Sequence, residues 1–498
     1  MTNATISTPE FLLGQARRRF KPALNNFPGM YAAERRLRGT HFHERVLAEP
    51  PPGSDLRPVT GDGGLPVLGH MIEMFMDTPD YLLHLYRTRG PVLYAFSPVL
   101  PSVVAIGPDA AQEIYTNRNK DYSQEGWKPA IGPFFKRGLM LLDFDEHLYH
   151  RRIMQEAFTR ARLARYVTQV DRVASAVVAD DWVVDDSRFL LYPALKELTL
   201  DIASAVFMGH EPGTDKELVT EVNEAFAITT RAGNAIIRVP VPPFTWWRGL
   251  RARRLLEEYF AARVTESRRR SEGSAADDLL SVLCHSADED GNRFSDRDIV
   301  NHMIFLMMAA HDTSTSTAST MIFNLAGSPE WQERCRDESD RLGDGPLDIE
   351  ALEKLESLEL VMNESIRMVT PVQWAMRRTV RDTSLLGHYI PEGTNVIAYP
   401  GMSHRLAEIW TDPEVFDPAR FTEPRNEHKR HRYGFTPFGG GAHKCIGMTF
   451  GQLEVKTILH RLLRRYRLEL PYPGYRPRWD YGGMPIPMDG MRIALRPL

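Results

Sequence analysis

Residues 437–447 read PFGGGAHKCIG, three consecutive glycines followed by a lone cysteine and another glycine. No other stretch restricts the possible folds of this chain as tightly. Glycine runs let a backbone turn through positive φ or approach another group closely. The segment that follows, IGMTFGQLEVKTILHRLLRRY, carries Ile446, Phe450, Leu453, Ile458 and Leu462 at helical spacing. Cys445 therefore stands just before a helix N-terminus, where free N–H groups and positive partial charge favour thiolate over thiol.

Four readings compete for that sulfur. One is a buried cysteine in a glycine-rich turn. A phosphate loop fits poorly, because no Gly-Lys-Ser/Thr closes the run. Zinc has His428, His431 and His443 upstream to draw on, but structural zinc recruits paired cysteines at short spacing. Cys284 and Cys335 are far away, and the chain holds no C-x-x-C. The fourth reading is a metal that takes a single thiolate, haem iron, where an axial sulfur favours O–O cleavage.

The chain has 498 residues, 43 % of them hydrophobic and 25 % charged, ordinary values for a globular protein. A net charge of −4 gives no reason to expect nucleic acid as a partner. Three scattered cysteines argue for a reducing compartment and against a disulfide framework. The N-terminal stretch is basic and partly amphipathic, with Phe11, Leu12 and Leu13 against Arg17, Arg18, Arg19 and Lys21. It lacks a long apolar core and reads as neither signal peptide nor membrane anchor. It is a solvated helix packed on its own domain or a weak membrane-surface contact. The expected location is cytoplasmic, peripheral to the inner membrane face if the arm binds there.

AEPPPGSDLRP (48–58) is a turn-rich linker, which divides the chain into an arm and linker, 1–52, and one domain, 53–498. PDYLLHLYRTRG (79–90) reads as helix and PVLYAFSPVLPSVVAIG (91–107) as a β-hairpin. From there to about residue 375 the pattern is mostly helical, and 376–400 reads as short strands. Helix dominates and sheet is minor.

Within the helical stretch, MIFLMMAA (303–310) runs into the polar block AHDTSTST. Buried acids and hydroxyls cost free energy unless paired, and Ser/Thr runs can bend a helix by bonding back to its carbonyls. The block is either one solvated turn or a site. LESLELVMNESIRMVTP (355–371) puts Glu364 and Arg367 on one helical face, and WTDPEVFDPARF supplies Arg420.

Together these pieces resemble the cytochrome P-450 superfamily. Phe438-x-x-Gly441-x-x-x-Cys445-x-Gly447, Glu364-x-x-Arg367, DPARF and AAHDTS occur in its order and rough spacing, from about residue 60 onward. The resemblance implies a triangular, helix-rich single domain, mainly α with small β-sheets, enclosing haem b. Cys445 matches the proximal iron ligand; Phe438, Gly439 and Gly447 belong to the loop around it. Glu364, Arg367 and Arg420 match a buried structural triad. His147 and Arg151 in DEHLYHRRIMQEAF, with Arg377 and His443, match propionate partners. Asp312 and Thr313 match the acid–alcohol pair that relays protons to the distal oxygen. Ala310 stands where many members have glycine. The histidine before the acid, the STST run and His443 are similar to the bacterial sterol-demethylase branch.

The resemblance therefore implies a monooxygenase acting on an apolar small molecule of lipid, sterol or terpenoid type. Haem-thiolate isomerase, peroxygenase and non-catalytic haem sensor are the alternatives. Phe134, Phe135, Leu139 and Met140, with Ala309, are expected to line the substrate pocket. The last helix is followed by no flavin or ferredoxin module in the sequence. Electrons are thus expected from a separate ferredoxin or flavodoxin with its reductase, steered by Arg151, Arg152, Arg430, Arg432, Lys444, Arg464 and Arg465.

Overall fold

The computed structural model describes residues 36–37, 40, 42–65, 69–70, 78–95, 101–180, 182, 189–210, 216–233, 235, 238–270, 278–481 and 483–498. Most of the N-terminal arm, including its amphipathic segment, lies outside the described residues.

Among the described residues, eleven longer helices supply the body: α1 (Thr78–Arg89), α2 (Pro108–Thr116), α3 (Phe144–Gln155), α4 (Arg160–Asp180), α5 (Leu191–Met208), α6 (Lys216–Gly233), α7 (Thr245–Arg269), α8 (Asp296–Ala326), α9 (Pro329–Leu342), α10 (Glu356–Met368) and α11 (Met448–Leu463). Strands β1 (Glu44–Val46), β2 (Thr60–Asp62), β3 (Val92–Ala95), β4 (Ser102–Ile106), β5 (Tyr122–Ser123), β6 (Ala375–Thr379) and β9 (Asn395–Tyr399) form one sheet in the order β1-β2-β3-β4-β9-β6-β5. The small pairs β7 (Thr383–Leu385) with β8 (His388–Ile390), β10 (Tyr466–Glu469) with β13 (Ala494–Pro497), and β11 (Trp479–Asp480) with β12 (Ile486–Pro487) stand apart. The hairpin expected at 91–107 is the antiparallel pair β3–β4. β1 falls inside the segment read as arm and linker, yet it pairs with β2, so that end of the arm is part of the sheet.

Strand β4 is buried throughout because it lies between β3 and β9, and its sequence SVVAI alternates little, as a strand covered on both faces should. The helical core is larger. It joins α3–α8, α10 and α11 in one apolar cluster that includes Phe207, Phe260, Ile304, Leu358 and Ile458.

α8 runs through the middle of that cluster. Its start is fixed by Ser295, whose hydroxyl accepts from the Asp298 N–H, and Asp296 and Asp298 complement the positive end. The polar block costs little here because its threonine hydroxyls bond within the helix and Ser314 donates to Glu454 of α11 at 2.5 Å. Thr313 donates to the Ala309 carbonyl at 2.8 Å, and Thr315, Thr317, Ser319 and Thr320 each donate four residues back. Burial without partners is thereby avoided for these hydroxyls, whereas Ser316 Oγ is buried with no partner among the described residues.

Candidate active site

The loop before α11 brings Cys445 into place through close backbone packing. Gly439 and Gly441 have φ of +70° and +63°, in the region that disfavours side chains. A Cβ on Gly441 would lie 1.8 Å from the Tyr115 carbonyl oxygen of α2, so only glycine fits. The Cys445 N–H donates to the Phe438 carbonyl at 2.9 Å, which closes the loop. The Gly447 N–H is directed at the sulfur and favours its anionic form, against the burial that raises its pKa. Cys445 is exposed, unlike Cys284 and Cys335, which are buried. Phe438 is half-buried against the main core.

The four residues read as propionate partners come together beside this sulfur. The rings of His147 and His443 lie against each other, tilted by 32°, with centroids 3.8 Å apart. Arg151 lies close enough to Cys445 to counter part of the burial that raises its thiol. Arg377 is buried and donates to the Gln124 side chain and the Met376 carbonyl, at 3.0 and 2.9 Å. Among the described residues it has no carboxylate within ion-pair distance. His147 is buried and its Nδ1 has no hydrogen-bond partner among the described residues. Desolvation, then neighbouring cations, pulls His147 down to about 4 and His443 to about 2, so both rings are neutral. A buried guanidinium without a carboxylate and an orphaned imidazole nitrogen call for an anion. An exposed thiol, a glycine-built cradle, two arginines and two neutral imidazoles together fit a haem with its two carboxylates.

Glu364 is fully buried and accepts from Arg367 Nε at 2.7 Å, Arg367 Nη2 at 2.9 Å and Arg420 Nε at 3.0 Å. The triad read from sequence is in contact. Its fourth member, Glu427, was not visible in the sequence. Glu427 accepts from Arg420 Nη1 at 2.9 Å, from Arg425 and from the Thr411 N–H. His404 was missed as well. Its Nε2 accepts from the Thr436 N–H at 3.0 Å, so Nδ1 carries the proton and donates to Thr370 at 2.8 Å. This ring ties the end of α10 to the cysteine loop.

On α8, Asp312 is buried and faces α5. Lys196 Nζ lies 2.7 Å and His311 Nε2 3.2 Å from its Oδ1. Burial alone would raise this carboxyl, but His311 and Lys196 together hold it far below the usual range. Thr313 is half-buried and bonded back to Ala309 rather than to Asp312.

Two expectations need correction. Phe134, Phe135 and Leu139 are covered core residues at 0 %, 1 % and 4 % exposure. Phe134 stands edge-on to Trp246 of α7 at 4.7 Å, and Gly138 sits tight against Phe305 of α8. The segment is a wedge between helices; Met140 and Ala309 are the half-buried members of the set. The expected basic surface also shrinks. Arg464 is bound by Asp340 at 2.7 Å and Asp344 at 2.8 Å, while Arg430 donates to the Ile409 carbonyl and lies near Glu427. Arg152, Arg432, Lys444 and Arg465 remain exposed.

The family model for cytochrome P450 matches residues 59–481. Cytochrome P450 136 of Mycobacterium tuberculosis is 75 % identical over 494 residues, covering 99 % of this chain and all of that one. The lanosterol 14-alpha demethylase of Mus musculus is 28 % identical over 436 residues, covering 84 % of each chain. Among solved structures, the retinoic acid bound cyanobacterial CYP120A1 superposes with a TM-score of 0.76 at 24 % identity, covering 87 % of this chain and 98 % of that one.

Proposed function

Because this chain belongs to the cytochrome P450 family of haem-thiolate monooxygenases, we propose that it inserts one atom of dioxygen into an apolar lipid, sterol or terpenoid-like substrate, with electrons from a separate ferredoxin or flavodoxin and its reductase. The observation that carries the site assignment is the exposed Cys445 thiol beside a buried Arg377 that has no carboxylate at ion-pair distance among the described residues. Haem b, when bound, supplies the iron at which dioxygen is activated by two electrons and two protons.

Cys445 would hold the iron through its sulfur, with the Gly447 N–H stabilising the thiolate. Arg377, Arg151, His147 and His443 would hold the propionates. His147 Nδ1 and the Arg377 guanidinium then gain the partners that the described residues do not provide. Glu364, Arg367, Arg420 and Glu427 keep α10 and the loop before Cys445 in register, and His404 bolts the two together. Asp312 and Thr313 would deliver protons to the distal side. For that, Asp312 must leave Lys196 and turn from α5, while the Thr313 hydroxyl exchanges its Ala309 bond for one to water.

The lipid-like substrate class draws support from the likeness to lanosterol 14-alpha demethylase and to a retinoic acid bound structure. Ala309, Ala310 and Met308 offer a half-buried, apolar stretch of α8 for such a molecule. Among the described residues no helix is long and apolar enough to cross a membrane.

The test is spectral and then chemical. Reduced protein should give a thiolate-type carbonmonoxy spectrum that Cys445→His abolishes; persistence of that spectrum would refute the ligand assignment. Sterols and terpenoids are then screened for a ligand-induced Soret shift and for hydroxylated product with reduced ferredoxin. A protein that turns over only with peroxide would move the reading to a peroxygenase.

A further inference from the structure

Tyr115, in the last turn of α2, is 7 % exposed, and its ring touches two parts of the site at once. On one side a Cβ on Gly440 would lie 3.3 Å from Tyr115 Cδ2, so the ring packs against the cysteine loop. On the other, the Arg377 guanidinium carbon lies 5.9 Å from the ring centroid, within reach of a cation–π contact. Tyr433 stacks on the same ring with centroids 6.4 Å apart. Ala111 of α2 and Ala375 of β6, the strand that carries Arg377, complete a small apolar cluster around the pair.

The two stacked phenols differ in one respect. The Tyr433 hydroxyl contacts Thr116 Oγ1 at 3.1 Å, whereas the Tyr115 hydroxyl makes no hydrogen bond among the described residues. A buried phenol normally finds a partner. Burial pushes this hydroxyl up to about 12, against the opposing pull of the Arg377 charge, so at neutral pH it keeps its proton and can donate. Arg377 has the matching need, because its side-chain and carbonyl partners are neutral. Asp143 bears on Arg377 only from a distance; its carboxylate instead accepts the Gln124 N–H, at 2.8 and 3.0 Å. A neutral donor and a cation side by side, each short of an acceptor, are both satisfied by one anion.

Resting on the haem reading above, we propose that Tyr115 is a cofactor-binding residue whose hydroxyl donates to the haem carboxylate that Arg377 pairs with. The same ring braces Gly440, so α2 links the residues that hold this carboxylate to the loop that holds the sulfur. A neutral donor also draws negative charge from the carboxylate. Less of that charge then bears on the iron, which favours the ferrous over the ferric state. The protein raises the reduction potential in this way without adding a formal charge.

Tyr115→Phe removes the hydroxyl and keeps the ring, and Tyr433→Phe removes the neighbouring phenol as a control. Both are compared with wild type as haem-loaded protein. In resonance Raman spectra the propionate bending band should shift in Tyr115→Phe and stay in place in Tyr433→Phe. Haem transfer to excess apomyoglobin should quicken about tenfold in Tyr115→Phe alone, as loss of a hydrogen bond to a charged group implies. The reduction potential should move negative in the same variant. A Tyr115→Phe band and transfer rate equal to wild type would overturn the proposal. Equal shifts in the two variants would overturn it too, since loosening of the stacked rings would then explain both. If Tyr115→Phe does not accumulate as folded protein, wild type decides. In its diamagnetic carbonmonoxy form, a phenolic proton protected from solvent exchange should lie within nuclear Overhauser reach of the propionate methylenes, and its absence overturns the assignment. Wild type with a thiolate-type carbonmonoxy spectrum keeps the haem reading whatever Tyr115 does; wild type that takes up no haem ends both.

Discussion

Replacing Glu427 with glutamine is the sharpest test of the buried charge network. Glu427 is 0 % exposed and accepts from Arg420 Nη1 at 2.9 Å, Arg425 Nη2 at 2.8 Å and the Thr411 N–H at 3.0 Å. Arg367 and Arg420 are balanced in the interior by Glu364 and Glu427, so removing one carboxylate leaves a buried guanidinium uncompensated. Breaking such a pair typically costs about 3–5 kcal/mol. Proton linkage gives an independent figure. Burial would raise this carboxyl, but bonds from Arg425, the Thr411 N–H and Arg420 win and bring it from 4.5 down to about 2. That depression corresponds to about 3 kcal/mol. The two figures agree. A folded pKa below the unfolded one means that the stabilisation is present above pH 4.5 and lost as pH falls through about 2. Urea unfolding of haem-loaded wild type and Glu427→Gln should therefore differ by about 3 kcal/mol at pH 7, and the difference should shrink steadily below pH 4.5. A difference under about 1 kcal/mol, or one that ignores pH, would refute the argument that the network is a closed set of compensating charges.

Three further outcomes are expected. Reduction by a ferredoxin should slow with salt, over a screening length of about 8 Å at physiological strength; Lys444→Glu should slow it, whereas Arg464→Glu should destabilise its contacts with Asp340 and Asp344 and leave the rate unchanged, and equal effects would sink the distinction. Thr313→Ala should fold, load haem and consume reductant, but release peroxide in place of product; unchanged coupling would reduce Thr313 to its bond with Ala309. Stability should fall below pH 6.5, because desolvation holds buried His302 and His404 at about 3 while the unfolded chain takes up protons from 6.5 downward. Two such groups steepen the loss to about 3 kcal/mol per pH unit, and a flat stability between pH 6.5 and 5 would contradict it.

What the sequence revealed, it revealed through local spacing. Gly441, Cys445 and Gly447 are close neighbours on one loop, and Glu364 and Arg367 share a helix face, so their pattern survives without knowledge of the fold. His147 and His443 lie far apart in sequence; their meeting was supplied by family resemblance and not by any property of either segment. Glu427 opens a three-residue 3-10 helix and His404 caps a four-residue helix, pieces too short for periodicity to betray burial, and each matters through partners brought up by the fold. Arg464 was misread because the carboxylates that bind it, Asp340 and Asp344, lie at and just beyond the end of another helix. Phe134 and Phe135 illustrate the same limit: an aromatic pair in a loop has one composition whether it faces a ligand or a helix.

The ladder of hydroxyls bonded back along α8 makes that helix mechanically uneven. Carbonyls of Ala309, His311, Thr313, Thr315 and Ser316 each accept a side-chain hydrogen in competition with the amide one turn ahead. A shared acceptor weakens its helical rung, so the stiffness of the helix drops where it passes the site, although Ile304 and Leu325 on either side stay fully packed. Amide protons at 313–320 should accordingly exchange with deuterated solvent sooner than those at 301–307, in reverse of what burial alone would rank. The helix thus contains its own flexure point, set by a run of small alcohols and requiring neither proline nor glycine.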